Sequence, residues 1–313
     1  MSVKAATTRL SSMTLNTGPL SPLKPPAPTP LVTELLTKND LEHDIYFGKN
    51  HFHNHFPHTL LSQFAIGAPE SRLKKEWVIE DYLSPISKKQ DTEITDSNWK
   101  EFIGRDNYYH NYLDYFKDKL KKDGVKETVL KYVLDETLLP SVVSGAVHPL
   151  IHVGFGIEFG VDMVVAEGIS EACVHSPAFA PVVDIPLYSK PSTDSKSLLE
   201  IVDEIYHDKT FDDSVKFSDS AKSTSVLNDR KATEAIKQYV MKWPIEDSSE
   251  GYVKAYRELF ELVAHFVASS AFPPPEIINN PKFKNHKFHP LLDFFLMYLF
   301  LHFFRNTLIV GIR

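Results

Sequence analysis

The sequence predicts an all-α fold: a multi-helix, bundle-like single domain that follows a disordered N-terminal leader. Apolar residues recur at intervals of three or four in every long segment, as in amphipathic helices, and no segment shows the sustained alternation of a half-buried strand. The chain has 313 residues, of which 42% are hydrophobic. That content is sufficient for a sizeable core, so we expect helices packed on helices.

The predicted leader covers residues 1–30, and the helical domain covers residues 31–313. Six prolines crowd the second half of the leader and favour extended or disordered chain; they are Pro19, Pro22, Pro25, Pro26, Pro28 and Pro30. No apolar stretch follows Lys4 and Arg9, so the segment is unlike a secretory signal. Its lack of acids resembles a mitochondrial transit peptide, but plain disorder is the preferred interpretation.

Four later stretches carry the helical pattern: Asp106 to Leu120, Lys122 to Leu138, Asp229 to Trp243 and Gly251 to Ser270. Aromatic residues in the first of them repeat along one helix face, so we expect them in the core and not on a substrate platform. They are Tyr108, Tyr109, Tyr112 and Phe116. We expect the three tryptophans, Trp77, Trp99 and Trp243, to be buried as well.

Two segments between and after these helices are expected to be irregular. Residues 192–228 are rich in Ser, Asp and Lys, and we interpret them as a polar surface insert with one amphipathic turn. The second segment, Phe272 to Pro290, holds five prolines. The apolar run from Leu291 to Phe304 is 14 residues long and contains Asp293 and His302. Because a spanning helix needs about 20 apolar residues, we interpret the run as a buried core helix and expect no membrane partner.

Composition excludes several function classes. The net charge is −7 and no long basic run occurs, so nucleic acid is not an expected partner. The single cysteine, Cys173, cannot form an internal disulfide, and a chain without disulfides is expected in the cytoplasm. We expect Cys173 itself to be a small buried residue. The glycines from Gly154 to Gly160 miss the dinucleotide-binding spacing by one residue and follow no strand, so no cofactor-binding residues are assigned. The sequence does not set the oligomeric state.

Histidines carry the strongest signal, because six of the 14 fall in two short windows. In the first window, Pro57 indicates a helix start and Asn54 is a candidate N-cap. That start places His55 and His58 three residues apart in the first turn, on one face, with His51 and His53 in the loop before it.

The second window repeats the arrangement. Pro149 indicates a helix start, and His148 and His152 are four residues apart, the spacing at which two imidazoles on one helix reach a common metal. Two such helices facing each other would form a four-histidine site, so we predict that both pairs converge as metal ligands.

The residues leave the metal open among Zn, Fe, Cu and Ni. They also leave open a structural role, in which each pair makes only buried hydrogen bonds. Carboxylates usually orient histidine ligands, and Glu158, Asp162 and Glu167 are the nearest candidates, although Glu158 should point away from His152. The other histidines, His175 among them, are interpreted as ordinary surface or core residues.

Three segments taken together resemble the questin oxidase-like family of fungal secondary metabolism. Residues 52–68 contain HNHFPHTLLSQFAIGA, residues 144–159 read SGAVHPLIHVGFGIEF, and residues 292–297 read LDFFLM. The stretch WKEFIGRDNYYHNYLDYF, residues 99–116, resembles the helix between them. The similarity extends from about Asn39 to Leu299 and is weakest in the polar insert.

The resemblance implies an all-helical, Baeyer–Villiger-type monooxygenase that opens a ring of an aromatic polyketide such as an anthraquinone, with NADPH as co-substrate. Side chains alone cannot supply redox equivalents for dioxygen. We therefore infer that the histidine pairs hold a non-haem metal, with iron preferred. No individual catalytic residue is assigned.

The sequence departs from the family pattern at several points. Thr59 and Tyr298 stand where family members usually carry histidine, and LFLHFFRNTLIVGIR replaces the expected tail. We therefore expect the C-terminal part of the family domain to be missing. Two alternative functions follow: an inactive paralogue or helical interaction protein with structural histidines, and a metal hydrolase that uses zinc at the same histidines.

Overall fold

A computed structural model describes residues 27–47, 52–79, 85–184, 187, 194–212, 214, 222–246 and 248–271. Most of the expected leader, the proline-rich segment after residue 271 and the apolar run from Leu291 to Phe304 lie outside these residues. Expectations about those segments stay predictions.

The predicted all-α fold is confirmed. The helices are α1 (Pro30–Glu42), α2 (Phe56–Ala65), α3 (Glu70–Ile79), α4 (Tyr109–Thr128), α5 (Leu139–Val142), α6 (His148–Phe159), α7 (Asp162–Val174), α8 (Leu198–His207), α9 (Lys222–Asn228), α10 (Arg230–Met241) and α11 (Ser249–Ala271). Among the residues described, the only strands are β1 (Tyr46–Phe47) and β2 (Phe52–His53), which pair antiparallel. No described helix is both long and apolar enough to cross a membrane.

Contacts group the chain into two compact units, one within residues 17–177 and the other formed mainly by residues 178–313. The predicted single domain over residues 31–313 therefore stays a prediction. Five of the six histidines in the two sequence windows are described, and all five belong to the first unit. The sixth, His51, lies outside the described residues.

Glycines set the close contact between α6 and α7. A Cβ atom on Gly156 would lie 2.5 Å from the Val165 side chain, and one on Gly168 would lie 2.7 Å from the backbone nitrogen of Val153. Both distances are below van der Waals contact, so only glycine allows the two helices to approach this closely. The glycines from Gly154 to Gly160 therefore lie in a helix and at its end, not in a phosphate-binding loop.

Helix α4 carries the aromatic core that was predicted. Tyr109, Tyr112 and Phe116 are buried, whereas Tyr108 is half-buried in a 3-10 turn before the helix. The separate helix predicted from Lys122 to Leu138 is wrong in part, because α4 continues to Thr128 through a kink at Gly124, where φ is 83°. A π-helical turn, Val129–Val133, follows it.

In the second unit, the expected irregular segment contains two helices, α8 and α9. The amphipathic turn expected near Leu198 is a ten-residue helix that buries Leu198, Ile201, Val202 and Ile205. A capping box fixes its start: the Ser197 hydroxyl accepts a hydrogen bond from the backbone N–H of Glu200, and the Glu200 carboxylate accepts one from the backbone N–H of Ser197. This Ser-x-x-Glu pattern is the local signal that predicts a helix start.

Candidate metal centre

Asn54 fixes the start of α2 and thereby the first histidine pair. Its side-chain oxygen accepts the backbone N–H of Phe56 at 2.9 Å, and its amide nitrogen donates to the side chain of Asn39 at 2.8 Å. The helix begins at Phe56, with His55 as its N-cap residue, one residue later than predicted. The imidazoles of His55 and His58 still lie side by side, with ring centroids 6.2 Å apart.

The second pair is positioned by an unusual turn before α6. The helix begins at His148, as predicted, and Gly145, Ala146 and Val147 before it all have positive φ angles. A Cβ atom on Gly145 would lie 2.5 Å from the His175 ring. Only glycine therefore lets this turn pass against that imidazole.

The structure brings all four predicted histidines together, as two facing pairs. The Nε2 atoms of His55 and His148 are 2.7 Å apart, and Nε2 of His58 lies 2.5 Å from Nδ1 of His152. The four side chains grade from exposed to buried, since His55 is exposed, His58 and His148 are half-buried and His152 is fully buried. The cluster is thus open to solvent at His55 and closed at His152. Their role as metal ligands stays a prediction.

The tautomer of His148 follows from its backbone partner. Nδ1 of His148 lies 2.5 Å from the carbonyl oxygen of Gly145, and a carbonyl can only accept a hydrogen bond. Nδ1 therefore carries the proton, and Nε2 presents its lone pair to His55. This is the arrangement in which a neutral imidazole serves as a metal ligand.

Three further residues join the cluster: Glu171 in α7, His175 directly after α7, and His53 in β2. Nε2 of His53 is 2.8 Å from Nε2 of His175 and 3.1 Å from Oε1 of Glu171, and all three side chains are buried. None of the three was assigned to the site from the sequence. The signal for two of them was the spacing of Glu167, Glu171 and His175, which places three polar residues on one face of a mainly apolar segment.

Glu167 is the one candidate carboxylate that reaches the site. Its Oε2 lies 3.9 Å from Nε2 of His152, on the side of the ring opposite His58. Glu158 and Asp162, the other two candidates, are exposed. A carboxylate behind the ring is the usual means by which proteins orient a histidine ligand.

Burial governs the protonation of the cluster. It raises the pKa of Glu167 and Glu171 well above the usual range of a glutamate. It lowers the pKa of His53 to about 2 and that of His58 to about 3, with further lowering from neighbouring imidazoles. The imidazoles of His53 and His58 are therefore neutral near pH 7, with lone pairs available to a cation.

The donor set fits a cation because several buried atoms find no hydrogen-bond partner among the described residues. These atoms are Nε2 of His152, Oε2 of Glu167 and both carboxylate oxygens of Glu171. Leaving such a group unsatisfied costs about 1–3 kcal/mol. Among the described residues, His53, Glu171 and His175 bring one ligand atom each within 4.8 Å of one another. Imidazole nitrogens and carboxylate oxygens are ligands that divalent transition metals select.

A comparison with protein families found a match over most of the chain. Residues 52–309 match the family described as questin oxidase-like, which spans every histidine of the cluster. The resemblance inferred from the sequence is thereby confirmed, and the match supports an oxidoreductase acting on aromatic polyketides. A search of curated protein sequences found no match to the chain.

Proposed function

This chain belongs to the questin oxidase-like family, and we propose that it is a metal-dependent monooxygenase that opens a ring of an anthraquinone-like polyketide. The observation that carries the proposal is the pair of facing imidazole contacts, His55 with His148 and His58 with His152. Beside them lie buried carboxylate oxygens to which the described part of the chain donates no hydrogen bond. Non-haem iron is the metal we propose, because ring oxygenation requires a redox-active group that activates dioxygen.

The proposed reaction balances with NADPH as co-substrate. One oxygen atom of dioxygen enters the ring of the substrate, and the other leaves as water after taking up two electrons from NADPH and two protons. Bound iron would supply the activation of dioxygen. NADPH and the polyketide are proposals that rest on family membership.

The side chains have distinct tasks in this proposal. The Gly145 carbonyl fixes the orientation of His148. His152 contacts His58 through Nδ1, and the carboxylate of Glu167 lies 3.9 Å from its Nε2. His55 lies at the solvent-exposed end of the cluster, where substrate would enter. Phe155 stacks on His58 with ring centroids 5.4 Å apart and is half-buried, so a planar aromatic substrate could rest against it.

The proposal is tested by the metal content of His148→Ala. We expect the purified wild-type chain to contain iron and the variant to lose it by at least tenfold, together with NADPH-dependent oxygen uptake on a hydroxyanthraquinone. His207→Ala is the matched control, because His207 is exposed and its contacts with Asp203 and Tyr206 lie within its own helix.

Three outcomes would overturn the proposal. Retention of full metal and activity by His148→Ala would remove the histidine pairs from the chemistry. A wild-type chain that contains no metal, and whose stability chelators do not change, would favour structural histidines. Zinc in place of iron, with ester hydrolysis and no oxygen uptake, would favour a hydrolase.

A further inference from the structure

We propose that His53, Glu171 and His175 form a second cation position, joined to the first by the carboxylate of Glu171. The histidines His55, His58, His148 and His152 are here called the outer position, and His53, Glu171 and His175 the inner position. The inner position is assigned from the geometry of its own three residues. It rests on the proposed function in one respect only, the cation that the outer histidines hold.

The three donor atoms of the inner position have the spacing that an ion requires. Nε2 of His53, Nε2 of His175 and Oε1 of Glu171 are separated by 2.8, 3.1 and 4.0 Å. A circle through three atoms at these distances has a radius of about 2.0 Å, which is the bond length of zinc to imidazole nitrogen or carboxylate oxygen. An ion at its centre would touch all three without movement of the backbone.

Glu171 faces both positions. Its Oε1 is directed to His53 and His175, and its Oε2 lies 3.6 Å from Nδ1 of His152 in the outer position. The side chain is fully buried, and neither oxygen accepts a hydrogen bond from any residue that the structure describes. A carboxylate shared between two ions satisfies both oxygens, as in the carboxylate-rich centres built between helices.

The two positions are also linked by a direct contact between two of their histidines. The imidazole of His53 stacks on that of His148, with ring centroids 4.0 Å apart and an angle of 11° between the planes. A ligand of the inner position therefore lies in direct contact with a ligand of the outer one.

A simpler interpretation accounts for only part of this arrangement. His53 and His175 could share a proton in an ordinary N–H···N hydrogen bond at 2.8 Å. That bond leaves both oxygens of Glu171 without a partner in the interior. A second cation satisfies the histidines and the carboxylate together.

The number of ions that the full chain binds tests the proposal. The chain is stripped with a chelator, reloaded with Zn²⁺, desalted and analysed for zinc. We expect two ions per wild-type chain, one in His175→Ala, one in His148→Ala and two in the exposed control His207→Ala.

The outcomes separate this proposal from the proposed function. One ion in the wild type, retained by His175→Ala and lost in His148→Ala, would overturn the inner position and leave the outer one intact. No ion in the wild type would overturn both. Circular dichroism of each variant excludes misfolding as the cause of a lost ion.

A measurement on the wild type needs no substitution at a histidine. Loading with two equivalents of Co²⁺ places two paramagnetic ions on one carboxylate, so exchange coupling should lower the electron paramagnetic resonance signal per cobalt below that of one equivalent. Glu171→Gln should remove the coupling. A wild-type signal that doubles with the second equivalent would overturn the shared carboxylate.

Discussion

Replacement of Gly168 by alanine should push α6 away from α7 and destabilise the protein. A Cβ atom there would lie 2.7 Å from the nitrogen of Val153, 2.8 Å from Cβ of His152 and 2.9 Å from the carbonyl oxygen of Pro149. Carbon atoms pack at about 3.5–4.0 Å, so each contact falls short by roughly 1 Å. Because the obstacles include backbone atoms, rotation of a side chain cannot relieve them.

The same substitution at Gly154 is the matched control. Gly154 lies in α6, and a Cβ atom there would meet nothing within 4 Å. Both substitutions gain about 1 kcal/mol from the higher helix propensity of alanine. Overpacking costs about 1–3 kcal/mol, so the difference between the two variants isolates the packing term.

Thermal unfolding of the two variants measures this difference. At about 2–4 °C per kcal/mol for a unit of this size, Gly168→Ala should melt roughly 2–12 °C below Gly154→Ala. Gly168→Ala should also bind metal more weakly, because the clash bears on His152. Equal melting temperatures would refute the assignment of Gly168 as the residue that sets the distance between the helices.

Two further predictions concern parts of the fold outside the ligands. Asn54→Ala should lower the free energy of unfolding by about 1–3 kcal/mol, since it removes two buried hydrogen bonds. Urea titration should show a smaller loss for Asn98→Ala, because both side-chain hydrogen bonds of Asn98, from the Thr95 N–H and to the Glu93 carbonyl, are exposed to water. Asp96 accepts hydrogen bonds from Lys119, Lys131 and Tyr132, and these bonds hold the pKa of its carboxyl below the ordinary value of 3.8. The ionised carboxylate therefore stabilises the fold above pH 3.8, and this stabilisation is lost as the pH falls below 3.8. Between pH 5 and 2, wild-type stability should therefore fall more steeply than that of Asp96→Asn, and parallel curves would contradict the assignment.

The helices and one half of the cluster could be predicted from sequence because their signals are local. Proline at a helix start and histidines three or four residues apart are properties of a single segment. Those local rules fixed the face on which His148 and His152 lie. The start of α2 was misplaced by one residue because the Asn54 side chain acts on the N–H two residues later, leaving His55 as the N-cap.

The inner position could not be predicted in the same way, because it depends on contacts between distant segments. His53 and His175 are 122 residues apart and meet only after β2 and the end of α7 come together. The spacing of Glu167, Glu171 and His175 along α7 was visible in the sequence. It gained meaning only once the helix was found to be buried on all sides near those residues, where a charged side chain needs a partner.

The left-handed turn before α6 has a consequence for how tightly the site can hold its ligand. Ala146 and Val147 have φ angles of 53° and 62°, a conformation that is unfavourable for a residue with a side chain and costs of order 1–3 kcal/mol each. The fold bears this cost whether or not a cation is present. In return, His148 is held in one orientation and one tautomer before any ion arrives, so its conformational freedom is lost during folding and does not weaken binding. Substitutions that relax the turn should thus stabilise the empty protein and weaken its affinity for metal.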